Sequence, residues 1–128
     1  MVKLNRALLT LSVAILLSGC ATVFTGIVTL TEVVDTGMKA WAQASNSGYS
    51  TTAIDAKVVE VHGKYQKACS VAQEALIAYK ATGDQAAYQK AFAVVKAIAI
   101  DLVDLIAPVI TSDKAVKLQT DLAKASKI

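Results

Sequence analysis

The stretch "AFAVVKAIAIDLVDLIAPVI", Ala91 to Ile110, decides the fold. It is apolar enough to resemble a membrane span. Yet Lys96, Asp101 and Asp104 would each cost about 2.5–3.5 kcal/mol near a bilayer centre. A helix buried in a bundle carries them more cheaply. Tyr88, Phe92, Val95, Ala99, Leu102, Ile106 and Val109 recur at steps of three and four, which predicts a helix from about Asp84 to Ala107 with one buried seam. A second stripe, Ala91, Val94, Ile98 and Leu105, makes it apolar over much of its circumference, as expected of a central helix. Pro108 ends or kinks it.

Working back from this helix, "ATGDQ" (Ala81–Gln85) is a turn. Gly83 suits the left-handed position after a helix, and Asp84 suits the cap of the next. So short a link predicts an antiparallel helical hairpin. Its first arm begins near Thr52, where Thr52-x-x-Asp55 fits a capping box. Ile54, Val58, Val61, Tyr65, Ala68, Ala72, Ala75 and Tyr79 alternate steps of four and three along it. Gly63 interrupts this arm at a cost of about 1 kcal/mol relative to Ala, and a bend is conceivable there.

Ala78–Phe92 resembles the helix–turn–helix of a tetratricopeptide repeat at Tyr79, Gly83-Asp84 and Phe92. It departs from that pattern at Tyr88, where a small residue is expected, and at Ile100, where a Pro is expected. No second copy lies 34 residues away, so a generic hairpin is the expectation.

Before the loop "SNSGYS" (Ser45–Ser50), Ile27, Leu30, Val34, Met38 and Trp41 predict a helix over about Ala21–Ser45. Its early Thr and Val residues lower helix propensity, but a lone strand would find no partner. Beyond Pro108, "TSD" (Thr111–Asp113) precedes a short last helix with Ala115, Leu118, Leu122 and Ala125 facing inward. The expected fold is all-α: an antiparallel bundle of three long helices plus a short C-terminal one. Its core is aliphatic, since the chain is 55% hydrophobic but only 5% aromatic.

The N-terminus carries an address. Lys3 and Arg6 precede an apolar run, Ala7–Leu17, as in a secretory signal. Leu17-Ser18-Gly19-Cys20 then resembles the lipobox of bacterial lipoproteins at all four positions. The resemblance implies that residues 1–19 are removed and that residues 20–128 form a single helical domain, with Cys20 as its lipid-bearing first residue. It implies anchoring to, rather than spanning of, a membrane. Ala21 stands where Asp commonly retains Gram-negative lipoproteins at the inner membrane, which favours the periplasmic leaflet of the outer membrane. The competing reading is an uncleaved anchor, because Ala7–Thr31 has no charged residue. Ser18, Gly19, Thr22, Thr25, Gly26 and Thr29 break that run and argue for the signal.

Few side chains remain for chemistry. Removing Lys3 and Arg6 leaves 11 of the 13 basic residues against 10 acidic ones, and Arg6 is the only arginine. A near-neutral body without Arg is poorly suited to nucleic acid. His62 and Cys69 are seven residues apart, about 10.5 Å along one helix, which excludes a Cys–His nucleophile there. One His and one Cys do not make a metal site, and no cofactor motif occurs. Cys69, the only thiol left after processing, is expected to be a small buried hydrophobe; an intermolecular disulfide is the alternative. His62 is expected to be partly exposed. Asp101 and Asp104 share a face and are the sharpest acid–base suggestion, but with Lys96 they more simply form the solvated stripe of a buried helix. The expected role is therefore non-catalytic: a lipid-anchored envelope protein binding a protein partner. The alternatives are a carrier of an apolar ligand, lined by Trp41, Phe92 and tyrosines, or a phage-encoded envelope lipoprotein.

Overall fold

A computed structural model describes residues 25–83 and 85–127. The proposed signal segment, Cys20 and the Asp84 cap lie outside the described residues. Four helices and a single 3-10 turn make up the regular structure of the rest, with no strand among the described residues. The first helix, α1, covers residues 25–46. It is followed by α2 (Thr52–Thr82), α3 (Gln85–Ile106), a 3-10 turn (Ala107–Val109) and α4 (Ser112–Ala125). The bundle is all-α, as its periodicity predicts.

The threonines of α1 are accommodated by local bonding. Thr29 and Thr36 each turn a hydroxyl onto the carbonyl four residues back, Thr25 and Glu32, at 2.7 and 2.9 Å. This is how a β-branched hydroxyl residue satisfies its oxygen inside a helix. At the far end Gly48 adopts φ 82°, and the amides of Gly48 and Tyr49 donate back to the Ser45 and Ala44 carbonyls. These paired bonds close α1 with a Schellman motif.

The start of α2 differs from the expected box by one residue. Thr51, not Thr52, is the cap, its hydroxyl accepting from the Ile54 amide at 3.2 Å. Asp55 does not reach back to the cap; three other donors hold it, as described below. At its other end α2 stops where Gly83 takes φ 77° and its amide donates to the Tyr79 carbonyl. A side chain there would meet the left-handed penalty, so the turn needs glycine. Thr111 caps α4 by position but makes no side-chain bond to it.

The helix directions follow from contacts that pair residues across the bundle. Trp41 and Thr31 of α1 bond Asp55 and Tyr65 of α2, so these two helices run antiparallel. Gly26 and Gly37 lie against Phe92 and Ile106, so α1 and α3 run parallel, with α2 returning between them. Lys96 reaches Ser126 just past α4, which turns α4 antiparallel to α3. Gly26 lies so close under the Phe92 ring that a Cβ would come within 2.7 Å of Cζ.

All four helices contribute to one core. Its fully enclosed large side chains are Leu30, Val34, Val58, Val95, Leu102, Val103 and Ile106. In α2 the seam includes Leu76, which the periodic reading passed over, whereas Ala75 and Tyr79 are only half-buried. The α3 seam is buried from Tyr88 to Ile106, with Val109 half-buried. The second α3 stripe departs from expectation. Ala91, Ile98 and Leu105 are half-buried, and Val94 is 50% exposed. The described helices cover that flank of α3 only in part.

Candidate functional site

The polar groups that could carry chemistry are distributed over four places. The first is the end of the bundle where α1, its following loop and α2 meet. Asp55 there accepts from Trp41 Nε1 at 2.8 Å, Ser45 Oγ at 2.9 Å and Ser50 Oγ at 2.8 Å. Three donors converging on one carboxylate stabilise its charged form. The Ser50 hydroxyl foremost, with those of Ser45 and Trp41, holds the Asp55 carboxyl below the usual carboxylate range, against the opposing effect of desolvation. A carboxylate so occupied is a structural clasp between α1 and α2, not an available base.

The second place is the α1–α2 seam. Thr31 Oγ1 and the Tyr65 hydroxyl share a hydrogen bond of 2.9 Å. Cys69 sits one turn beyond Tyr65, half-buried and free. Burial pushes its thiol upward, only partly opposed by hydrogen bonds from Tyr65 and Thr31. Burial likewise raises the Tyr65 phenol, with adjacent Cys69 adding to the effect. Thiol reactivity needs the thiolate, the form that burial disfavours at Cys69. His62 is half-buried one turn before Tyr65 on the same helix.

The third place is on α3. Asp101 and Asp104 are both exposed, as the solvated-stripe reading requires, but Lys96 does not join them. Its Nζ lies 4.8 Å from the centroid of the Phe92 ring and donates to the Ser126 carbonyl at 3.2 Å. A cation over an aromatic face and at the C-terminus of α4 is favourable on both counts. Phe92 in turn stacks on Tyr88, with centroids 5.9 Å apart. The periodicity of α3 could not separate Lys96 from the two aspartates, because a long flexible stem can leave the polar face and lie along apolar surface.

The fourth is a shallow groove of about 270 Å³ between α1 and α4. Lys39, Lys114 and Lys117 edge it, over Ala40, Ile110 and Leu118. Lys114 Nζ bonds Gln43 Oε1 across it at 3.2 Å. The sequence reading missed these lysines: they lie on two helices distant in the chain, and only the packing of α4 on α1 gathers them. Of the aromatics considered for a carrier cavity, Tyr49 is exposed and Tyr79 half-buried, and the others are engaged elsewhere. Trp41 bonds Asp55, Phe92 packs on Gly26 and Tyr88, and Tyr65 bonds Thr31.

Among the described residues no three of the His, Cys, Asp and Glu side chains come close enough together to hold a metal ion. No helix of the described residues is long and apolar enough to cross a membrane, α3 included. Comparison with family models, with curated proteins and with solved structures gave no match.

Proposed function

We propose that this chain is a lipid-anchored cell-envelope protein whose role is non-catalytic, acting by binding another protein. The observation that carries the proposal is Leu17-Ser18-Gly19-Cys20, placed directly after a charged and then apolar segment. A signal of this kind delivers the chain across a membrane and holds it there by acyl chains on Cys20. Ala21 directs it to the periplasmic leaflet of the outer membrane in a Gram-negative cell.

The state of the polar groups supports the non-catalytic part. Asp55 is engaged by three donors, burial disfavours the Cys69 thiolate, and Asp101 and Asp104 are exposed. General acid–base work needs a group poised near the working pH beside a substrate site, and none of these residues combines the two.

The anchor is tested with Cys20→Ala in the full chain. This variant is expected to lose acyl labelling and to keep its N-terminal segment. Normal processing with release into the soluble fraction would refute the anchor. For the partner, crosslinking in intact cells is expected to trap one defined envelope protein. Recovery of lipid alone with the purified chain would favour the carrier reading instead.

A further inference from the structure

We propose that the partly exposed flank of α3 is a self-association surface, on which a second copy of this chain docks antiparallel about a two-fold axis near Ala97. Ala87, Ala91, Val94, Ile98, Asp101 and Leu105 follow one another at steps of four and three, the spacing of a helix–helix seam. Ala91, Ile98 and Leu105 lean on the core, while Ala87, Val94 and Asp101 are exposed.

Two features of the face select the occupant. The first is charge. Lys90, Ala97 and Asp104 flank the seam at intervals of seven, all exposed. Neither Lys90 nor Asp104 has an ion-pair partner among the described residues. A second α3 laid antiparallel across Ala97 sets Lys90 of each copy against Asp104 of the other. A parallel arrangement would instead oppose like charges at both ends, so the pattern fixes direction as flanking charges do in coiled coils. The second is size. The same apposition sets Ala87 against Leu105, Ala91 against Asp101 and Val94 against Ile98, so a small residue meets a larger one at both outer levels and two β-branched residues meet at the centre. A surface that complements itself under a two-fold rotation is what an isologous dimer requires. This inference does not depend on the lipid anchor.

The test uses the purified full-length chain in detergent, with Cys20→Ser and Cys69→Ser to remove its own thiols. Ala97→Cys in that background is treated with a short bis-maleimide reaching roughly the 8 Å between packed helix axes. Covalent dimer is expected in high yield, with little from a control thiol at the exposed α4 position, Val116→Cys. Sedimentation equilibrium then compares the charge variants. Lys90→Asp and Asp104→Lys are each expected to weaken dimerisation by roughly tenfold, and the double variant to restore it to within about twofold. All these positions are exposed, so circular dichroism should remain that of the parent. A chain that stays monomeric throughout the concentration series, equal crosslinking at 97 and 116, or failure of the double variant to recover would each overturn the proposal.

Discussion

The two sides of α3 are made of the same kinds of residue and end in different surroundings. On the side packed against the other helices, Phe92, Val95, Ala99, Leu102, Val103 and Ile106 are sealed from solvent. On the flank beside it, Ala91, Val94, Ile98 and Leu105 are also apolar but keep contact with water. The difference is one of supply. Four helices seal one side of α3 and cover the flank beside it only in part. An apolar stripe thus marks a face that gains by being covered, and only the packing reveals whether this chain does the covering.

The sharpest way to test that contrast is to make the same truncation on each side. Leu102→Ala removes an enclosed side chain from the centre of the core, and its loss of stability is expected at about 2–5 kcal/mol by denaturant unfolding. A loss below about 1 kcal/mol would mean that this side is not the packed one.

Two aspartates extend the comparison to charge. Asp55 is fixed by three donors across the α1–α2 end, whereas Asp101 stands exposed. Asp55→Asn is expected to destabilise the fold at neutral pH, by less than the core truncation, and Asp101→Asn to leave it unchanged. The pH dependence has a definite sign. The folded carboxyl of Asp55 titrates below its unfolded value of about 3.9. Its contribution is therefore fully present above about pH 4 and is lost as the pH falls through the lower folded value. Asp55→Asn and the parent should differ in melting temperature at pH 7 and converge in strong acid. A difference independent of pH would show that shape, not charge, makes the clasp.

Two glycines within helices provide a third pair. Nothing approaches a Cβ built on Gly63, while one on Gly26 would press into the Phe92 ring. Gly63→Ala is expected to raise stability by about 1 kcal/mol, the helix-propensity difference. Gly26→Ala gains the same propensity but overpacks a buried aromatic, an effect that typically costs about 1–3 kcal/mol, and it should come out neutral to destabilising. Thermal unfolding of both variants checks the opposite signs; two equal gains would mean that α1 does not approach α3 closely at Gly26.

Much of this arrangement was legible before any coordinates. The α2 and α3 seams, the Gly83 turn and the inner face of α4 follow from three- and four-residue spacing, because burying such a stripe dominates the energetics of a small bundle. What escaped was whatever depends on the relation between helices. Asp55 matches a capping box in spacing, but the box competes with Trp41 and two serines brought in by the α1 loop, and those donors win. Lys96 was grouped with Asp101 and Asp104 by charge, although its stem reaches Phe92 and the end of α4. In the α1–α4 groove, Lys39 is more than 70 residues from Lys114 and Lys117, and no local pattern joins them.

The smallest expected effect is the most discriminating one. Val94→Ala makes the same end product as Leu102→Ala, eight residues away on the same helix, but at a position 50% exposed. It removes two methyl groups that are already half in water and replaces a β-branched residue with the best helix former. At concentrations where the chain is monomeric, its stability should therefore change by no more than about 0.5 kcal/mol. Its effect belongs in association: if a second copy covers this side, the same substitution weakens the dimer while leaving the monomer fold intact. Unfolding measured at two protein concentrations separates the terms, because only association makes stability depend on concentration. A Val94→Ala loss equal at both concentrations would place the residue in the fold of the single chain, and the two sides of α3 would then differ in degree rather than in kind.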